Sequence, residues 1–341
     1  MKSMLLLFLV GFAVVFDSTK VAFKAPTHFP EPIYNFDKNP LTNAKINLGR
    51  ALFYDGLLSK DGTISCASCH SPYNAFAHTD HDLSHGINNN IGIRNAPALF
   101  NLAWQNSFMW DGAINHLDVQ ALAPISHPDE MGEDLIEVIA KLTRSKIYSK
   151  LFEKAFQDGE ITGEHTLKAL STFQLALVSA NAKYDKVKLG RTNFTNQELK
   201  GYSIYKSLCS DCHKEPLFSS YNFENNGLFV DTTLNDFGKG SISKQPSDSL
   251  KFKVPSLRNL SYTYPYMHDG RFQTIKEVLK HYSGNKFQSK TLSDKLKKPY
   301  DLSGNKKADL TAFLLTLNDS SFVFNSENKF PRDILLNQHK P

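Results

Sequence analysis

Two copies of one pentapeptide, Cys66-Ala67-Ser68-Cys69-His70 and Cys209-Ser210-Asp211-Cys212-His213, constrain this chain more than any other feature. Two cysteines three apart, followed at once by histidine, form the attachment signature of c-type haem. The thiols add across the porphyrin vinyl groups and the histidine becomes the proximal ligand of the iron. The motifs use all 4 cysteines of the chain, so none is left for a structural disulfide. A C-x-x-C pair alone also serves as a thioredoxin-like dithiol or as half of a zinc site. Neither requires the histidine, and both copies have it. Two covalently bound haem c groups on one chain point to redox chemistry.

The 341 residues, 41% of them hydrophobic, suffice for about two domains with cores of their own. The net charge of +5 is mildly basic and its lysines are dispersed, which argues against a nucleic-acid partner. An excess of this size could help dock an acidic electron donor, but a solvated surface is the better explanation. Residues 1–20 open with Lys2 and an apolar run from Met4 to Phe16, shorter than the ~20 residues of a bilayer span. Such a segment is a signal peptide or a short N-terminal anchor, and either exports the protein to the periplasm. Haem attachment outside the cytoplasm agrees with that.

Each motif follows a comparable approach, Asn47-Leu48-Gly49-Arg50-Ala51-Leu52-Phe53-Tyr54 and Leu199-Lys200-Gly201-Tyr202-Ser203-Ile204-Tyr205, with aromatics at helical spacing. Thr195 with Glu198 forms a capping box for the second. The pattern predicts an internal duplication of cytochrome c units, joined near Gly190–Thr195. Further helices are expected over Asp134–Leu142, Ser149–Phe156 and Gly163–Ala180. The fold class is therefore mainly α: two cytochrome c-like domains, each with one covalently bound haem, and long loops.

Seven features, counting the pentapeptide pair as one, lie in order along the chain. They are Arg94–Asn101, Phe108–Gly112, Gln120–Ile125, Pro128–Met131, Val254–Asn259, Pro265–Arg271 and the C-x-x-C-H pair itself. In this order they resemble the bacterial dihaem cytochrome c peroxidases and their MauG relatives. The resemblance runs from about Pro40 to Leu317. It implies an N-terminal peroxidatic haem domain over 30–190, with His70 proximal, and a C-terminal electron-transfer haem domain over 191–325, with His213 proximal. It also implies Glu130 as the distal carboxylate, Gln120 as the distal amide and Trp110 between the haems. Asn95, Thr263 and Pro265 match the family's calcium site, where the last two give backbone carbonyls. Peroxide must lose a proton from one oxygen and regain it on the other, and one carboxylate can do both. Members of the family are often homodimers.

Two departures separate branches of that family. The usual distal histidine of the first haem falls on Ile87, which cannot ligate iron, so an open first iron is expected, with His85 the nearest substitute; His78 and His81 lie further off. The usual distal methionine of the second haem falls on Tyr282. Ile275, Val278, Leu279 and Tyr282 share one helical face, so the tyrosine points inward, whereas His281 lies off that face and Met267 in the calcium loop. A histidine/tyrosine haem resembles the MauG branch.

The leading expectation is a periplasmic peroxidase that reduces hydrogen peroxide to water with electrons from a small cytochrome c or cupredoxin. The alternatives are a MauG-like oxidase acting on an organic or protein substrate through high-valent iron, and a non-catalytic electron-transfer cytochrome.

Overall fold

The computed structural model describes residues 21–336, so the export segment read over 1–20 lies outside the described residues. The chain is mainly helical, and the sheet among the described residues is a two-residue pair, β1 (Phe223–Glu224) with β2 (Phe252–Lys253), antiparallel.

The long helices are α1 (Asn43–Tyr54), α2 (Leu135–Arg144), α3 (Lys146–Ala155), α4 (Gly163–Ala176), α5 (Asn196–Leu208), α6 (Ile275–Ser283) and α7 (Lys306–Leu315). Local chemistry sets their starts. Thr42, Asp134, Thr162, Thr195 and Thr274 each accept a hydrogen bond from a backbone amide of the following turn. Thr195 with Glu198 forms the expected capping box, and Thr274 with Glu277 forms another. Helix α4 stops at Ala176, four residues earlier than the apolar pattern suggests. The reason is tertiary: Asn101 takes over the backbone there, its amide donating to the Leu177 carbonyl at 2.9 Å and its Oδ1 accepting from Ser179 N at 2.9 Å.

The duplication is visible in how helices cross. A Cβ on Gly49 of α1 would lie 1.9 Å from the Ala169 carbonyl of α4 and 2.9 Å from Phe173 Cβ. A Cβ on Gly201 of α5 would lie 1.9 Å from the Asp309 carbonyl of α7 and 2.9 Å from Phe313 Cβ. Each half therefore pins a glycine of the helix before its motif against a later helix, too closely for any other residue.

A second repeat runs without gaps at a constant offset of 158 positions, from Arg94/Phe252 through Asn101/Asn259, Met109/Met267 and Gly112/Gly270. The paired positions share left-handed backbone: φ is 56° and 62° at the asparagines, 67° and 77° at the methionines, 74° and 69° at the glycines. The two halves meet through these repeats reciprocally. Asn95 N donates to the His268 carbonyl at 2.8 Å, and the equivalent Lys253 N donates to the Trp110 carbonyl at 2.7 Å. Such an isologous contact is what a duplicated unit makes with its own copy.

Three apolar clusters fill the interior. One surrounds α1 and α4 with Leu48, Leu52, Phe53, Phe76 and Phe173; another surrounds α5 and α7 with Tyr205, Phe218, Leu310 and Phe313. Each fully buried ring or branched chain contributes about 2–3 kcal/mol. Phe322, Val323 and Leu335 from the end of the chain pack into the first cluster, and Tyr54 donates to the Asn328 carbonyl at 2.6 Å. The third cluster, with Phe29, Trp104 and Tyr221, lies between the other two. Beside it Arg258, fully buried, donates to both Asp185 oxygens at 2.9 and 2.7 Å and twice to the Pro216 carbonyl. His28 from the N-terminal segment meets the same carboxylate at 2.7 Å.

Candidate functional site

Both pentapeptides occupy the same local geometry. Cys66–Cys69 is one helical turn and its amides lead into His70, whose Nδ1 lies 2.8 Å from the Phe76 carbonyl. In the second half α5 runs directly into Cys209. His213 Nδ1 lies 3.2 Å from the Phe218 carbonyl and 3.0 Å from that of Pro255. With Nδ1 donating to a carbonyl, each ring keeps Nε2 unprotonated and oriented for a metal. Burial lowers both imidazoles to about 4, so they stand neutral, the form that ligates. The four cysteines are free; burial pushes Cys66 up to about 12, Cys69 to about 11 and Cys209 to about 12. Paired neutral thiols one turn apart, followed by an aimed imidazole, fit a covalently held haem at both places.

Glu130 comes to the first motif on the loop after the helical stretch Leu117–Ser126. Its amide donates to the His127 carbonyl at 3.0 Å, and its own carbonyl accepts from Ile87 N at 2.8 Å. The carboxylate receives no hydrogen bond among the described residues. It lies close enough to Cys66 and Cys69 to raise both thiols. Burial raises the carboxyl above its ordinary value, opposed by His127 and assisted by Asp129. Ile87 is buried in the same loop contact, with its Cδ1 against Gly132. His85 is engaged elsewhere: Nδ1 lies 2.8 Å from Asn89 Oδ1 and the ring stacks on His81 at 4.3 Å. His78 Nε2 lies 3.2 Å from His81 Nδ1. Gln120 Nε2 meets Met109 Sδ at 3.6 Å.

Tyr282 comes to the second motif on α6. Burial, and then proximity to Cys209, Tyr300 and Cys212, push its phenol well above the ordinary tyrosine range. Its ring stacks on Tyr300 at 6.1 Å. The neighbouring His281 is spent on the Asn226 carbonyl, 3.0 Å from its Nε2, and Met267 Sδ accepts from Asn226 Nδ2 at 3.4 Å. Trp110 sits at the seam between halves, its indole N–H donating to the Asn95 carbonyl at 2.8 Å. Asn95 is buried and donates from Nδ2 to the Asp82 carbonyl at 3.0 Å, and no hydrogen bond reaches its Oδ1 among the described residues.

The repeat explains a difference that the separate motifs concealed. Leu117–Ser126 corresponds to α6, with Ala121 and Leu279 both buried, and Tyr282 corresponds to Pro124. The carbonyls match as well: Pro124 accepts from Met131 N at 3.1 Å and Tyr282 from Tyr300 N at 2.9 Å. Proline carries no side-chain donor atom, so at this place the helix presents a phenol oxygen in the second half and none in the first. Aligning the chain with itself, rather than motif by motif, would have found Pro124.

These features define a two-site cytochrome of duplicated design. A family described as di-haem cytochrome c peroxidase matches residues 43–193. The chain is 36% identical to the methylamine utilization protein MauG of Methylorubrum extorquens, over 87% of this chain and 84% of that one. It is 35% identical to the cytochrome c peroxidase Ccp of Escherichia coli, over 75% of this chain and 57% of that one. A solved MauG-like protein associated with microbial copper homeostasis superposes with a TM-score of 0.81 at 32% identity, covering 91% of this chain and 99% of that one. The chain belongs to the di-haem cytochrome c peroxidase family, and that membership implies two haem c groups.

Proposed function

We propose that the protein is a periplasmic dihaem enzyme that reduces hydrogen peroxide to water with two electrons from a small cytochrome c or cupredoxin. Cys66, Cys69 and His70 would hold one haem, and Cys209, Cys212, His213 and Tyr282 the other. Haem, when bound, supplies the electrons that break the O–O bond. Glu130 would take the proton from one peroxide oxygen and return it to the oxygen that leaves as water; the oxygen left behind becomes the second water with the two donor electrons and two protons from solvent. Gln120 offers an amide N–H to the peroxide. Trp110 provides an oxidisable π-system between the halves. Asn95, whose Oδ1 is left free, joins the Thr263 and Pro265 carbonyls in an oxygen set suited to calcium.

One observation carries this reading: the contrast of Tyr282 with Pro124, beside a half-buried carboxylate that receives no hydrogen bond among the described residues. Electron paramagnetic resonance of the oxidised holoprotein tests it. The expected result is one high-spin and one low-spin ferric signal, the latter becoming high-spin in Tyr282→Phe, together with steady peroxide turnover by a reduced cytochrome. Two low-spin signals in the unaltered protein, with no high-spin signal appearing after one-electron reduction, would leave only the electron-transfer cytochrome. The MauG-like oxidase is the second reading, favoured by the tyrosine at the second motif. It holds if peroxide oxidises the protein stoichiometrically while reduced cytochromes sustain no turnover.

A further inference from the structure

The lysines are dispersed over most of the chain, but one stretch departs from that pattern. Residues 273–300 contain seven lysines and two acids, a net +5, leaving 32 basic and 32 acidic residues in the rest of the chain. The stretch at the same offset in the first half, residues 115–142, contains one lysine and six acids, a net −5. The two segments that follow the duplicated turn therefore carry opposite charge. The acidic one brings Glu130 to the first motif, and the basic one brings Tyr282 to the second.

The basic segment adjoins the second motif. Lys295 Nζ pairs with Asp211, inside the pentapeptide, at 2.7 Å, and both Lys295 and the exposed Lys214 lie near Cys212. Cys212, like the other three thiols, is part-buried. Lys276, Lys280, Lys290, Lys295, Lys297 and Lys298 are exposed. Lys297 also pairs with Asp294, at 2.6 Å, whereas among the described residues no acid lies within ion-pair distance of Lys276, Lys280, Lys290 or Lys298, so the segment keeps a net positive charge. The net positive charge of the segment, its ion pairs included, produces a field that steers anionic surfaces and is screened over about 8 Å at physiological ionic strength.

We infer that the lysine-rich wall formed by Lys214, Lys295, Lys297 and Lys298 is the docking face for the acidic surface of a small redox protein. The inference rests on the proposed donor-dependent reading and names its partner by charge. The same field that draws such a partner to the second motif meets like charge at the first, so reducing equivalents are directed to one end of the molecule. Peroxide, being neutral, reaches the acidic end unhindered.

Small redox probes of opposite charge test this on the holoprotein. Fully reduced protein is mixed with ferricyanide or with tris(phenanthroline)cobalt(III), and the second haem is followed optically. Raising ionic strength from about 0.01 M to about 0.15 M should slow ferricyanide about tenfold and quicken the cobalt complex. The combination Lys295→Glu, Lys297→Glu and Lys298→Glu should do the same at low salt. Lys146→Glu, Lys150→Glu and Lys154→Glu, the same charge change on α3 of the first half, should leave both rates near their starting values. Acidic plastocyanin should then exchange electrons faster than basic mitochondrial cytochrome c. Equal responses of the two complexes, or equal effects of the two triple variants, overturn the inference while leaving the enzyme reading intact. Binding to phosphatidylglycerol vesicles without any change in exchange rates would overturn it in favour of a membrane-facing patch. Failure of the second haem to exchange with either complex would remove the donor-dependent reading itself.

Discussion

In the second half, α6 turns Tyr282 toward Cys209 and Cys212, whereas in the first half the corresponding helical stretch carries Pro124 at that place and Glu130 arrives from the loop behind it. Almost everything around these two positions is the same. Both halves have a glycine crossing, a left-handed asparagine, a left-handed methionine, an Asp-Gly turn and, after the second cysteine, an imidazole held by a carbonyl. The comparison separates what a haem-sized pocket requires from what a reaction requires. Backbone devices stayed fixed because each answers a steric demand that one residue type meets. The side chains aimed at the pocket diverged, and with them the charge of the whole following segment.

The sharpest way to break that contrast is Glu130→Gln. The amide keeps the shape and removes the proton acceptor, so peroxide turnover should fall by ~10²–10⁴-fold with an unchanged visible spectrum. The pH profile follows from the raised carboxyl. The ionised form is the base, so activity should be lost as pH falls through a value above the ordinary carboxyl range, and this limb should vanish in the variant. Full turnover by Glu130→Gln would remove the proton-transfer role and reduce the difference between the halves to ligation alone.

The next test asks whether the two halves are built alike. Gly49→Ala and Gly201→Ala each place a methyl group 1.9 Å from a backbone carbonyl, and neither helix can yield without unpacking its neighbour. Each should cost about 3 kcal/mol. Denaturant midpoints of the two variants should fall together. A tolerated Gly201→Ala beside a disruptive Gly49→Ala would mean that the second crossing is looser than its geometry indicates.

Legibility in the sequence tracked the kind of constraint. The pentapeptides, the Thr195 capping box and the inward face of Tyr282 follow from local pattern and could be read directly. Helical phase sets His281 off the face that carries Tyr282, and its Nε2 lies 3.0 Å from the Asn226 carbonyl. The 158-position repeat was not, because identity survives mainly at Asn, Leu, Met, Asp and Gly while the intervening side chains changed. The end of α4 was hidden for another reason. Its apolar pattern continues past Ala176, and only the distant Asn101 shows why the helix stops. The return of Phe322 and Leu335 to the first core is equally non-local. Arg258 read as part of a motif, yet it is a fully buried partner of Asp185, where losing one member would cost about 3–5 kcal/mol.

The smallest effect asks the finest question of the duplication, and concerns Asn101 and Asn259. Both sit at positive φ and both hold the chain where a crossing helix ends. Asn101 accepts from Ser179 N at 2.9 Å and donates to the Ser179 carbonyl at 3.0 Å. Asn259 accepts from Asp319 N at 2.8 Å, but its Nδ2 donates at 3.0 Å to the hydroxyl of Ser179, a residue of the other half. Alanine at either site removes two buried hydrogen bonds and leaves a side chain poorly suited to left-handed backbone, a loss of about 2 kcal/mol. Glycine relieves the backbone and should recover about half of that loss. The Asn259 variant should also weaken the tie between halves. Combined with Ser179→Ala it should cost less than the sum of the two single changes, whereas a sum that adds fully would show that the two ends are independent.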